Sequence, residues 1–398
     1  MLSRIEIKGL YGHYDYDLPL INGPRKNICF LTGPNGYGKS TILDLICAFM
    51  KADVKTLLNI PYNTISFYLK DYKVVLNQER TEKAVDPNDD SSSSDDDLPI
   101  VRRMSIMVYA AGRGETLEVV SFADDELEDE NVILFPSSLS VYLASQHIEY
   151  IADDRLWPRN ADKLGVSKSV ELLQTKIANY DNLLTVMYNE SMLETMRSLS
   201  PNDFIRGELE ENELIRRANE KLEAFNKLGL ASKLISAEVK EEKPFLKILQ
   251  LATLDKVLRY DDLFYRRLKL LYDIIVQSEF SDKQLVLDGE HGLFFISDDT
   301  IIIPENLSSG EQHFIIQLIT LLMKAEPQSL ILIDEPELSY HPAWQMDYLK
   351  NLKRIAEIGR YQFILATHSP QIFDYKWDYT IDLYKQTTNN AERPEDIN

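Results

Sequence analysis

The sequence predicts an α/β fold that combines buried strands and an antiparallel sheet, interrupted by a helical arm. Three observations carry that prediction. A glycine-rich loop at 33–40 lies between an apolar run and a helix-like stretch. Near the other end, an apolar strand at 329–333 runs into two adjacent acids, Asp334 and Glu335. Between these, residues 161–283 change from alternating to helical periodicity.

Residues 1–8 alternate and read as a first strand. The run 27–32 reads as a buried strand, and 40–49 as a helix. The loop joining them matches G-x-x-x-x-G-K-[ST], and strand, loop and helix is the setting in which that pattern binds phosphate. Its residues are Gly33, Pro34, Asn35, Gly36, Tyr37, Gly38, Lys39 and Ser40, with Thr41 next. The glycines let backbone N–H groups converge on phosphate. The helix N-terminus adds partial positive charge. Lys39 is placed to reach β- and γ-phosphates of ATP, and Ser40 to coordinate Mg²⁺. The bland alternative is a glycine turn.

Four alternating runs, at 64–69, 72–76, 105–109 and 117–122, predict an antiparallel sheet. The acidic segment 86–97 is low-complexity and reads as a disordered loop, and 124–130 as another exposed loop. From about 161, Val170, Leu173, Ile177, Tyr180, Leu184 and Met187 follow spacings of three and four, the stripe of a coiled-coil seam. Pro201 interrupts. A second helix carries Leu214, Ala218, Leu222 and Phe225 on one face, and a third helix-rich stretch runs over 245–276. The reading is a short arm for oligomerisation or partner docking; a helical cap packed on its own lobe is the alternative. Strands return at 284–287 and 292–297. Asp334 is expected to hold Mg²⁺ through water, and Glu335 to polarise the attacking water. Two acids at the end of a buried strand are otherwise costly. The run 362–366 is another buried strand, leading to His368, and 379–384 reads as a last strand.

These motifs resemble the ABC-like ATPases that include RecF, SMC proteins and the OLD-type ATPases. Residues 307–312, Leu-Ser-Ser-Gly-Glu-Gln, look like the ABC signature, and residues 334–345 like the D-E-P-E-x-x-L-H-P-x-W-Q string of OLD-like ATPases, many from phage-defence operons. Tyr340 departs from the string, where leucine is usual. The resemblance implies a two-lobed ABC-ATPase-like P-loop domain, a mixed sheet core plus an antiparallel sheet, with boundaries at 1–160 (first lobe), 161–283 (helical insertion) and 284–398 (second lobe with signature, Walker B and switch histidine). It implies a composite site in which Ser308, Ser309, Gly310 and Glu311 of one copy face the γ-phosphate held by another, and a His368 that contacts that phosphate. It also implies a glutamine loop, for which Gln78 and Gln146 are both candidates, and a role at the nucleotide or a partner for Arg155, with a structural ion pair as the alternative.

At 398 residues and 44% hydrophobic, the chain can bury a large core. Its two cysteines, Cys29 and Cys47, fall in apolar segments and read as reduced core thiols of a cytoplasmic protein. No signal pattern appears, and no apolar run approaches the ~20 residues that span a bilayer, so no membrane partner is expected. The net charge of −21 argues against a broad DNA-gripping surface, because such affinity depends on Lys and Arg releasing counterions. Arg102-Arg103, Arg216-Arg217 and Arg266-Arg267 remain as local basic pairs.

OLD nucleases carry a nuclease domain after the switch histidine. The stretch after His368 is too short for one, so destructive activity is expected on another polypeptide. Two functions follow. In the first, the chain is the ATPase sensor and scaffold of a phage-defence system of the PARIS, Septu or retron-associated kind. It forms a homodimer or higher oligomer and controls a separate nuclease effector in response to a phage protein or nucleic acid. In the second, it is a RecF/SMC-like DNA-binding ATPase of repair. The predicted arm of roughly 50 Å, at ~1.5 Å per residue, is far shorter than SMC arms and favours the first.

Overall fold

The computed structural model describes residues 1–23, 27–82, 100–111, 116–123, 135–152, 161–198, 216, 219–230, 253, 257, 262–278, 280, 282–338 and 340–388. The acidic segments 86–97 and 124–130, Arg155, Pro201, Leu214 and Ala218 lie outside them, as does most of 245–261. Packing divides the chain into two units. The first comprises residues 1–154, 326–338 and 342–398, and the second residues 155–325 and 339–341.

In chain order, the first unit begins with β1 (Leu2–Leu10), β2 (Tyr14–Pro19), β3 (Ile28–Thr32), α1 (Lys39–Met50) and α2 (Val54–Asn59). It continues with β4 (Thr64–Leu69), β5 (Tyr72–Glu82), β6 (Ile100–Ala110), β7 (Thr116–Ala123), α3 (Ser137–Ala144) and β8 (Ile148–Ile151). The second unit holds α4 (Ala161–Ser198), α5 (Leu263–Gln277), β9 (Gln284–Asp288), β10 (Gly292–Ser297), β11 (Thr300–Ile302) and α6 (Ser309–Ile319). The first unit then resumes with β12 (Leu330–Asp334), α7 (Pro342–Gly359), β13 (Gln362–Ala366), β14 (Thr380–Asp382) and α8 (Leu383–Thr388).

Two sheets build the first unit. One is antiparallel with order β2-β1-β4-β5-β6-β7, where the alternating runs were predicted. The other is parallel with order β14-β3-β13-β12-β8. Every residue of β3, β12 and β13 is buried, as their unbroken apolar runs require of central parallel strands. α1 shares one continuous core with both sheets: its Phe49 stacks on Phe67 of β4 with ring centroids 3.9 Å apart, and Leu332 and Ile364 join the same cluster. Each such fully buried side chain contributes about 1.5–3 kcal/mol. Cys29 and Cys47 are both buried and unbridged. The last strand is shorter than predicted. Asp382 Oδ1 accepts from Tyr384 N at 3.1 Å, which starts α8 at Leu383 instead of prolonging β14.

In the second unit, β9, β10 and β11 form a small antiparallel sheet. The seam residues Val170, Leu173, Ile177, Tyr180 and Leu184 of α4 are buried, where the helix packs on β10 and α6. Gly292 permits the approach: a Cβ there would lie 3.0 Å from Val170 Cγ1. Further along α4, Val186, Leu193 and Met196 are exposed. The capping residue of α5, Asp262, accepts from Tyr265 N at 2.8 Å and from the Tyr180 hydroxyl at 3.1 Å, tying the two helices together. Among the described residues, no helix is long and apolar enough to cross a membrane.

Candidate nucleotide site

The parallel register places the predicted residues of the first unit at one edge. Leu31 of β3 pairs with Ala366 of β13, and Ala366 with Asp334 of β12. The chain therefore leaves all three strands at one level, into the glycine loop, into Thr367-His368 and into Glu335. Two backbone bonds fasten this edge: Thr367 N donates to Leu31 O at 3.1 Å, and Glu335 N to Ala366 O at 2.9 Å.

The loop takes the shape its glycines allow. Gly36 and Gly38 have φ of 86° and 77°, and Gly38 is the cap of α1 with no side-chain bond to the helix N-terminus. A Cβ on Gly38 would meet Leu10 Cδ2 at 3.1 Å. Ser40 is exposed, while Lys39 is buried, its Nζ donating to the carbonyls of Gly33 at 3.1 Å and Pro34 at 3.3 Å. Burial lowers the Lys39 pKa, and the carboxylates of Glu335, Asp334 and Glu337 act against that shift. Aromatic rings surround the loop. Tyr37 packs on Tyr14 and Tyr384, both at 5.6 Å, and Tyr37 O accepts from the Tyr16 hydroxyl at 2.7 Å. Thr41 Oγ1 lies 3.2 Å from the Tyr11 hydroxyl.

The paired acids differ in setting. Asp334 ends β12 and is buried. Glu335 has φ of 44°, the left-handed region, and the sharp turn brings its Oε1 to 3.4 Å from Nε2 of His368. Two further residues, Glu337 and Gln345, join this edge without a role assigned by the sequence motifs. Glu337 Oε1 accepts from Thr367 Oγ1 at 2.7 Å, from His368 N at 2.7 Å and from Ser369 N at 3.0 Å. Ser369 Oγ donates to Gln345 Oε1 at 2.9 Å, and Gln345 Nε2 to Glu337 O at 3.4 Å. The available signal was the third acid of the run 334–337, followed by a glutamine one helical turn into α7. Neither glutamine considered for the glutamine loop stands beside the acids. Gln78 spends its amide on Leu58 O at 2.7 Å and Tyr62 N at 3.2 Å. Gln146 precedes β8 and thus lies at the opposite end of the parallel sheet.

The signature residues belong to the second unit. Ser308 caps α6 in a reciprocal capping box: Glu311 N donates to Ser308 Oγ at 3.4 Å, and Ser308 N to Glu311 Oε2 at 2.9 Å. Burial raises the Glu311 pKa, but the Lys283 ammonium and the Ser308 bonds outweigh it and hold the acid below its ordinary value. Ser308 and Ser309 are exposed and Gly310 is half-buried. Tyr340, the departure from the string, is buried in the same unit, its hydroxyl donating to Gln317 Oε1 and its ring against Phe314 at 5.4 Å. Gln317 supplies the partner that a buried hydroxyl needs and a leucine does not.

A phosphate-bound Mg²⁺ fits the donor set of the first unit: an exposed Ser40 hydroxyl, a strand-end carboxylate and a loop whose Gly36 has open space where a Cβ would stand. Among the described residues no cluster of three or more His, Cys, Asp or Glu is arranged as a metal site by itself.

Solved structures similar to this chain include an SMC head bound to the C-winged helix domain of ScpA, at 14% identity and TM-score 0.38, covering 94% of this chain and 91% of that one. The SMC head domain from Thermotoga maritima is similar at 12% identity and TM-score 0.37, covering 95% and 92%. No curated protein matches the sequence. The profile of the family described as "AAA domain, putative AbiEii toxin, Type IV TA system" matches residues 153–374, more than half of the 398, and the chain belongs to that AAA-domain family.

Proposed function

We propose that this chain binds and hydrolyses ATP at sites shared between two copies, and that it serves as the sensor and scaffold of an anti-phage defence system whose effector is a separate nuclease protein. The observation that carries the hydrolytic part is the strand-end edge where Lys39, Asp334, Glu335 and His368 gather on three adjacent parallel strands. Backbone N–H groups of 33–40 and Lys39 hold the phosphates. Mg²⁺, held by Ser40 and through water by Asp334, supplies charge neutralisation when bound. Glu335 orients and polarises the attacking water, and His368, against Glu335, faces the γ-phosphate. Ser308 and Gly310 of a second copy complete the site, which their exposed position at the start of α6 supports. The family's printed description, which includes a toxin–antitoxin system, supports a role beside a second gene product. The net charge of −21 speaks against the DNA-repair alternative.

Mixing two inactive variants tests the shared site. Ser308→Arg keeps its phosphate loop and binds ATP, and Lys39→Ala keeps its signature segment. Neither alone turns over, whereas a mixture regains a fraction of parent activity through dimers with one intact site. Normal hydrolysis by Ser308→Arg alone would leave Ser308 as a helix cap and nothing more.

A further inference from the structure

We propose that Glu337 is a positioning residue: its carboxylate ties the 367–369 segment to the strand end that carries Asp334 and Glu335, and so sets where His368 stands against Glu335. The inference rests on the hydrolytic reading above and extends it to a residue that reading does not use.

Three donors converge on one oxygen, Glu337 Oε1: the Thr367 hydroxyl and the backbone N–H groups of His368 and Ser369. Bonds to a charged acceptor are stronger than neutral ones, so this is a firm anchor for a short segment. Thr367 is wholly buried and also donates its N–H to β3, which leaves His368 as the first side chain beyond a fixed base. Gln345 closes a ring, accepting from Ser369 Oγ and donating to the Glu337 carbonyl. The pair Glu337 and Gln345 thus accounts for the spacing of the 334–345 string: the acid grips the histidine segment from the end of β12, and the glutamine from the first turns of α7.

Other roles for this carboxylate fit less well. Its Oε1 is filled by three donors, so it is committed and unsuited to activating water. Its Oε2 is buried without a hydrogen-bond partner among the described residues, so a solvent-borne cation does not reach it. What it adds to the phosphate loop is charge, as one of three carboxylates acting on Lys39.

The test uses the full chain with three variants. Glu337→Ala is expected to lower kcat about 100-fold, the scale of an ångström-level misplacement, with KM and the Kd for ATP unchanged. In a His368→Ala background the same substitution costs nothing further, because its effect passes through the histidine. Glu337→Gln, which keeps the accepting oxygen, stays within about threefold of parent in kcat, within the spread of a neutral-for-charged acceptor exchange. Hydrogen exchange provides the arm that does not depend on turnover. In nucleotide-free protein, Glu337→Ala exchanges the amides of His368 and Ser369 about tenfold faster, with 33–40 unchanged. A raised KM at full kcat, an additive loss in the His368→Ala background, or a Glu337→Gln as impaired as Glu337→Ala would overturn the proposal. If the parent does not hydrolyse ATP, the hydrolytic reading fails and exchange alone decides: unchanged exchange at His368 and Ser369 sinks the positioning role, and faster exchange upholds it.

Discussion

Glu335 carries the backbone strain of the site and, in the mechanism proposed above, its chemistry. Its φ of 44° costs a non-glycine residue about 1–2 kcal/mol, and the bond from its N–H to Ala366 O holds it there. Two substitutions separate these roles. Glu335→Gln keeps size and backbone, so ATP affinity should stay at the parent value while kcat falls about 10²- to 10⁴-fold. Turnover at the parent rate would remove Glu335 from the reaction. Glu335→Asn should also abolish turnover, yet raise unfolding stability by about 1 kcal/mol, since asparagine tolerates the left-handed region. It also removes one of the three carboxylates around Lys39. A chemical denaturation series showing lower stability would mean that the turn is not strained.

At the scale of the element, the N-terminus of α6 is held by a reciprocal pair, and its acid titrates. Glu311 has a folded pKa below its ordinary 4.5, so the stability it contributes is fully present above that value. It is lost as pH falls below the ordinary value and through the lowered folded one. Comparing Glu311→Gln with the parent, the melting difference should be constant from neutral pH down to about the ordinary carboxylate range and close below it. A difference that persists in stronger acid would assign the effect to packing. What could be read in the sequence at this scale follows from how far a pattern determines its partner. The unbroken apolar runs of β3, β12 and β13 announce buried strands, and the centre of a parallel sheet is a place where both faces are covered. The seam of α4 is ambiguous by nature: spacings of three and four serve a coiled coil and a helix laid on its own sheet alike. Here Val170 to Leu184 lie buried against β10 and α6. The left-handed turn at Glu335 and the three donors on Glu337 were hidden, since both depend on β13 arriving in register beside β12.

For the whole molecule, the charge balance makes opposite predictions for the two proposed functions. With a net charge of −21, the chain should bind duplex DNA weakly, with an apparent affinity that changes little between 50 and 200 mM salt. Titration of labelled DNA at several salt concentrations checks this. Tight binding with a steep salt slope would restore the repair reading and locate a basic face that the overall balance conceals.

The strand order of the parallel sheet also governs how the protein is made. β3 is completed within the first 32 residues, but its two neighbours, β13 and β14, begin at Gln362 and Thr380. The side chain of Gln362 even bonds both backbone atoms of Leu2. On a ribosome adding roughly 5–20 residues per second, β3 waits about 15–70 s for its partners. Throughout that interval its apolar residues and both hydrogen-bonding edges have no native cover, the condition in which nascent chains pair wrongly. The protein should accordingly lean on chaperones during synthesis, and a chain released before residue 362 should be insoluble however well its antiparallel sheet has formed.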